Sequence, residues 1–343
     1  PAIGEQFTAP VKIKYNYSFS DLNRLVKNSS DPFVRWDSMQ KIATEIILNG
    51  LDLSTTKLQI ESSVNKVAKA LKSVLADDKL DDYFKAQMLV LPSQSALWGE
   101  YVKNIPVDSI WKTRENLKLV LADHLKEIFA EIVEGYKDEG VDIPSFKQIS
   151  KRRLKNTALA YLALTGDNKF FDELSEKLKT HGNFTDKLAY LVILNNNDNP
   201  CRNLALDYFY RKYKNNFLVL NKWMAIQASG KLPDTMERVK NIMNSSDFNL
   251  KNPNQVHSLL NVFAANKPHF HQINGQGYAF ISRIIQKLDT INPVIASSLV
   301  SYFTGWREHI PERQELIKTE LEKLLQLKKL SPGVYEKVSR SLK

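Results

Sequence analysis

Ile60-Glu-Ser-Ser-Val64-Asn-Lys-Val67-Ala-Lys-Ala-Leu71-Lys-Ser-Val74 carries an apolar residue at every third or fourth position. That spacing lines one face of an α-helix. The same period returns in Leu117, Leu121, Leu125, Ile128 and Ile132, in Tyr278, Ile281, Ile285 and Leu288, and more loosely in Leu316, Leu321, Leu324 and Leu327. From about residue 18 onward the chain therefore reads as helix throughout.

Helix starts carry a recurring signature. Asp31-Pro32, Asn199-Pro200, Asn252-Pro253, Asn292-Pro293 and Ser331-Pro332 each set a capping side chain before a proline. The cap oxygen accepts from a first-turn N–H, and proline at the first helical position forfeits no bond. Asp234 with Glu237 has the spacing of a capping box, and Gly166 and Gly230 read as helix stops. The segments are short, about 10–20 residues each, and repeat with no fixed period. The expected fold is all-α: an irregular, curved α-solenoid of HEAT/armadillo-like stacked helix pairs.

One segment departs from this. Val11, Ile13, Tyr15 and Tyr17 alternate with polar residues, which predicts a strand over 11–17. A lone strand leaves its backbone groups unpaired, so its sheet is expected upstream of residue 1. The chain then divides into 1–18, the end of a preceding domain, and 19–343, the helical domain. The absence of an initial Met agrees with a piece of a longer protein.

Hydrophobic residues make up 43% of the 343 and charged residues 25%, ordinary for a chain that buries a core. No apolar run approaches the ~18–20 residues that span a bilayer, and no signal peptide is visible at the start. With a single cysteine, Cys201, a reducing, cytoplasmic setting is expected. The net charge of +10 is dispersed; Lys151-Arg152-Arg153 is the tight cationic cluster. A solvated basic surface is expected, with no nucleic-acid and no membrane partner. The alternative is a stand-alone helical-repeat binding module for protein or nucleic acid, which requires the cations to line one face.

Chemistry-bearing motifs are missing. None of the six histidines begins a His-Glu-x-x-His sequence, which puts two zinc ligands and a general base on one helix. His269-Phe-His271 offers two nitrogens where a zinc site needs three or four ligands, so these read as packing or surface residues. Gly275-Gln-Gly277 reads as a turn, Cys201 as a small buried residue, and Phe209 with Tyr213 as an apolar helix face flanked by lysine stems. The chain is expected to hold no catalytic residue, metal or cofactor of its own.

Phe7-Thr-Ala-Pro-Val-Lys12, Asp31-Pro-Phe-Val-Arg-Trp36 with Gln40, Leu91-Pro-Ser-Gln94, Lys151-Arg-Arg-Leu-Lys-Asn156, Asn183-Phe-Thr-Asp186, Pro200-Cys-Arg202, Asn221-Lys-Trp223, Lys251-Asn-Pro-Asn254, Gly275-Gln-Gly-Tyr278, Ile291-Asn-Pro293, and Leu330-Ser331 with Tyr335-Glu336-Lys337 follow one another along the chain. Taken in that order, these segments resemble the C-terminal region of the bacterial aminopeptidase N (M1) family. The resemblance implies a zinc hydrolase that removes N-terminal residues from peptides. Its catalytic and β-sandwich domains lie upstream, and the helical domain caps the active site and limits access. It also implies chamber-lining positions at Asn254, Gln255, Val294 and Ser298. At three of these the sequence departs from the family: Gln255 stands where Arg is usual, and Val294 and Ser298 where Gln and Arg face the cavity.

Overall fold

The computed structural model describes residues 2–6, 15–52, 57–136, 145–180 and 182–343. In chain order the first helices are α1 (Phe19–Asn28), α2 (Pro32–Asn49), α3 (Lys57–Leu75), α4 (Asp82–Met88), α5 (Gln94–Trp98), α6 (Val107–His124), α7 (Lys126–Glu134), α8 (Phe146–Leu162), α9 (Asn168–Thr180) and α10 (Phe184–Asn196). They are followed by α11 (Arg202–Tyr213), α12 (Phe217–Ala228), α13 (Thr235–Met243), α14 (Pro253–Val256), a π turn (His257–Asn261), α15 (Val262–Ala265), α16 (Lys267–Phe270), α17 (Gln276–Asp289), α18 (Pro293–Val300), a 3₁₀ turn (Trp306–Glu308), α19 (Pro311–Leu325) and α20 (Pro332–Leu342).

The expected strand over 11–17 finds no support. Val11 to Lys14 lie outside the described residues, and Tyr15, Asn16 and Tyr17 carry no regular structure. Among the described residues the β-type pairing is one isolated parallel bridge, Ile105 with His309. A strand is defined by a neighbour that completes its ladder, and alternation alone supplies none.

The chain forms two compact units, Pro1–Leu97 with Ser109–Ile193, and Trp98–Asp108 with Leu194–Lys343. In the first, α8 packs against both α4 and α7. A capping box starts it: Ser145 Oγ accepts from Gln148 N and Gln148 Oε1 accepts from Ser145 N. Its buried face presents Leu154, Ala158, Leu159 and Tyr161; Tyr161 stacks on Phe129 of α7 at 5.0 Å and donates to Leu89 O at 2.6 Å. The stripe Val64, Val67, Leu71 and Val74 of α3 is buried as its period requires. The stripe through residues 117–132 is shared by two helices, because the backbone leaves helical geometry at Leu125 (φ −112°, ψ 11°).

In the second unit Tyr278, Ile281, Ile285 and Leu288 of α17 are fully buried in a core shared with α12, α18, α19 and α20. Two glycines fit α17 into place. Gly275 is its N-cap in the left-handed region (φ 70°), where a side chain is strained. At Gly277 a Cβ would lie 2.2 Å from Phe270 O, so only glycine lets the helix approach that carbonyl. The proline-marked starts divide. Asp31, Asn252 and Asn292 each accept a first-turn N–H. Ser331 instead gives its hydroxyl to Asp289, and Asn199 turns back to donate to Leu194 O and Asn197 O. The expected capping box at Asp234 does not form: its side chain makes no cap bond and is engaged by Arg202 and Arg238.

Within the first unit Lys155 and Asp186 form a buried ion pair at 2.5 Å, their side chains 5% and 2% exposed. Asp186 also accepts from Asn156 and Asn183. Removing one member of such a pair strands the other charge in a low-dielectric interior. Asp186→Ala is expected to lower stability in urea denaturation by about 3–5 kcal/mol, and Lys155→Met with Asp186→Leu to recover most of that loss.

Candidate functional site

A cavity of about 720 Å³ lies wholly in the first unit. Helix α8 contributes one stripe, Ile149, Arg152, Arg153, Asn156, Thr157, Ala160 and Tyr161, at the three- and four-residue spacing of a single helix face. Arg114 and Lys118 stand one turn apart on α6, Thr185 and Ala189 one turn apart on α10, and Leu89 to Leu91 close the groove. Four cations thus line it, and no carboxylate does among the described residues. Its floor is fixed. Arg114 Nε donates to Pro92 O at 2.8 Å, Gln40 Nε2 donates to Val90 O at 2.8 Å, and burial pushes the Tyr161 phenol far above its ordinary pKa, keeping it a donor to Leu89 O.

The positions expected to line a chamber lie in the second unit, on two elements. Asn254 is exposed on α14. Gln255 is buried, and both ends of its amide are used: Oε1 accepts from Asn249 N at 2.6 Å and Nε2 donates to Asp247 O at 2.8 Å. Val294 is 79% exposed on α18, and Ser298 lies half-buried one turn further on. None of the four lines a described cavity.

A buried aromatic and cationic cluster in the second unit was not legible in the sequence beyond the pair His269 and His271. His271 and His309 have ring centroids 4.6 Å apart, and Trp98 meets both edge-on, at 5.0 and 5.3 Å. Lys267 Nζ lies 4.0 Å from the Trp98 ring centroid, and His271 Nδ1 pairs with Tyr278 OH at 3.0 Å. Arg313, 2% exposed, donates to His271 O at 2.8 Å and to Asp108 at 2.6 Å. Burial drives both imidazoles toward the neutral form, and Lys267 and Arg313 reinforce it; His271 falls well below the ordinary histidine range and His309 falls to about 4. Among the described residues no three His, Cys, Asp or Glu side chains converge so as to hold a metal ion. The nearby cations argue the same way, since they repel a metal.

A chain of short helices, with no sheet among the described residues, fits the helical-repeat class. Residues 20–343 match the family described as "Domain of unknown function (DUF3458_C) ARM repeats", and the chain belongs to that family. It also matches the C-terminal region of aminopeptidase N. Aminopeptidase N of Escherichia coli (strain K12) is 32% identical across 100% of this chain, and that of Caulobacter vibrioides 30% identical across 98%. The chain spans about two fifths of these relatives, 39% and 38% of their length. The crystal structure of Legionella pneumophila aminopeptidase A in complex with aspartic acid superposes with a TM-score of 0.86 at 27% identity, over 99% of this chain and 40% of that one.

The buried histidines give the second unit a pH signature. His309 titrates near 4 when folded and near 6.5 when unfolded. Its neutral form is therefore favoured by folding: stability is whole above pH 6.5 and falls as the unfolded chain takes up protons, down to about pH 4. His309 alone is expected to cost about 2 kcal/mol between pH 7 and pH 5. In urea titrations at those two pH values, His309→Phe should narrow the difference by about that amount.

Proposed function

We propose that this chain is the non-catalytic C-terminal domain of a zinc-dependent M1 aminopeptidase that releases N-terminal residues from peptides. In this reading the domain caps the active site, walls the substrate chamber and limits access to it. The observation that carries the reading is the full-length match: 100% of this chain aligns with 39% of the Escherichia coli aminopeptidase N. The remaining length of such an enzyme is where a zinc-binding His-Glu-x-x-His helix belongs, and this sequence contains no such motif. Residues 19–343 form the helical domain, and residues 1–18 connect it to the upstream part of the enzyme. The partners are the upstream domains and the peptide substrate; nucleic acid and membrane play no part, and the enzyme works in the cytoplasm.

Side-chain geometry sorts the four chamber positions. Val294 and Ser298 share one face of α18, and both retain solvent exposure. Asn254 is exposed at the start of α14, whereas Gln255 is committed to the 247–249 loop. Ser298, half-buried one turn beyond the more exposed Val294, keeps enough exposure for a longer side chain to project toward a peptide.

In the full-length enzyme, Ser298→Arg is expected to lower KM for longer peptides by up to roughly fivefold, the range of a solvent-exposed charge pair, with kcat little changed. Single-residue test substrates should be unaffected, and equal shifts for both substrate classes would remove Ser298 from the chamber wall. The 343-residue chain alone, supplied with zinc, is expected to release no amino acid from a peptide; turnover by it would overturn the proposal.

A further inference from the structure

The groove of the first unit has a chemistry that the capping role leaves unused. Its walls are apolar where Leu89, Val90, Leu91, Ile149 and Ala189 face it, and its polar edge is cationic. Arg153 is the distinctive member. Its Nη2 donates to Gln87 Oε1 at 2.8 Å and its guanidinium lies 4.1 Å from the Tyr83 ring centroid. Both partners are neutral, and Arg153 enters no salt bridge among the described residues. By contrast, Arg114 is paired with Glu115 at 2.8 Å. A guanidinium that lies over an aromatic ring and gives one described hydrogen bond, to a neutral amide, is the fork-shaped donor that matches a planar two-oxygen anion.

An apolar surface adjoins this edge. Phe146 is 67% exposed, Ile149 44% and Val90 42%, and the Phe146 ring lies 6.0 Å from that of Tyr83. Two sequence segments that carry the family resemblance, Leu91 to Gln94 and Lys151 to Asn156, also meet here, since Leu91, Arg152, Arg153 and Asn156 all line the cavity.

We propose that this groove is a binding site for an apolar carboxylate, with the carboxylate on Arg153 and the apolar body between α8 and the 89–91 segment. Two sources share that chemistry: the free C-terminus of a peptide that ends in apolar residues, and a free aliphatic acid. The assignment rests on the cavity and its cations, and it stands or falls separately from the aminopeptidase reading. Volume and charge both favour it. About 720 Å³ is within the range of small-molecule sites, and Arg153 brings to the groove a positive charge whose described partners, Gln87 and Tyr83, are both neutral.

The test is calorimetric titration of the 343-residue chain with an N-acetylated dipeptide acid bearing two apolar side chains, with its C-terminal amide, with octanoate and with inorganic phosphate. The acetyl group removes the free amine, so aminopeptidase chemistry cannot contribute. Binding of the dipeptide acid, octanoate or both, with at least tenfold weaker binding of the amide, is expected. Tightest binding of the dipeptide acid identifies a peptide terminus as the source, and tightest binding of octanoate identifies a free acid. A hydrogen bond to a charged group is worth roughly ten- to a hundredfold in affinity, so Arg153→Gln should weaken binding at least tenfold and Arg153→Lys should restore part of it. Should Arg153→Gln lose its folded circular dichroism signal, Lys118→Gln on α6 serves the same comparison. Equal binding of acid and amide, tighter binding of phosphate, no binding below millimolar concentration, or affinity unchanged in the folded variant overturns the proposal.

Discussion

A helix of ten to twenty residues does not hold its shape alone in water; the apolar stripe along one side must be covered by a neighbour. In both units helices answer that constraint by covering one another. In the first unit α8 is covered on two sides, by α4 and α7, and the side chains that complete the cover are amphipathic. Tyr161 stacks inward on Phe129 while its hydroxyl reaches the Leu89 carbonyl. Lys155 and Asp186 bring charge into the same interior only as a pair. In the second unit α17 is the equivalent element, and its four-residue stripe is fully buried.

The constraint also explains where polar atoms go. Buried polar groups are satisfied or they are costly, and the molecule uses long side chains to tie distant segments together. Arg313 spans from Asp108 to the carbonyl of His271. Arg35 donates to Val26 O at 2.9 Å, joining α1 to α2. Gln255 holds the loop at 247–249 with both ends of its amide. Such ties fix the positions of short helices whose own caps are weak, as at α16, which has no side-chain cap.

The helical nature of the chain was legible because burial follows period: Val64, Val67, Leu71 and Val74 are buried as a stripe of α3. Cap residues were legible only where nothing competed for them. Asn252 and Asn292 cap their helices, but Asp234 is drawn away by two arginines and Ser331 by Asp289, and those partners are mostly remote in sequence. The division at Leu125 was invisible because the apolar stripe runs through it unbroken. Alternation over residues 11–17 suggested a strand without a partner to make one. The groove was half legible. Lys151-Arg152-Arg153 stood out as a cationic cluster, but nothing in the chain signalled that Arg114 and Lys118 on α6 would face it. The chamber positions came from resemblance, and geometry separates the tethered Gln255 from the exposed Val294.

The π turn at His257–Asn261 interrupts what is otherwise one continuous helical path from Pro253 to Ala265. A π turn accommodates one residue more than an α turn of the same rise. The segments on either side therefore keep their buried faces, Val256 before it and Phe263 and Ala264 after it, although the count of residues between them is one too many for a regular helix. A relative shorter by a single residue in this stretch would wind as plain α-helix and still present the same two faces to its neighbours. Length variation here is thus absorbed within the helix, without a loop to receive it.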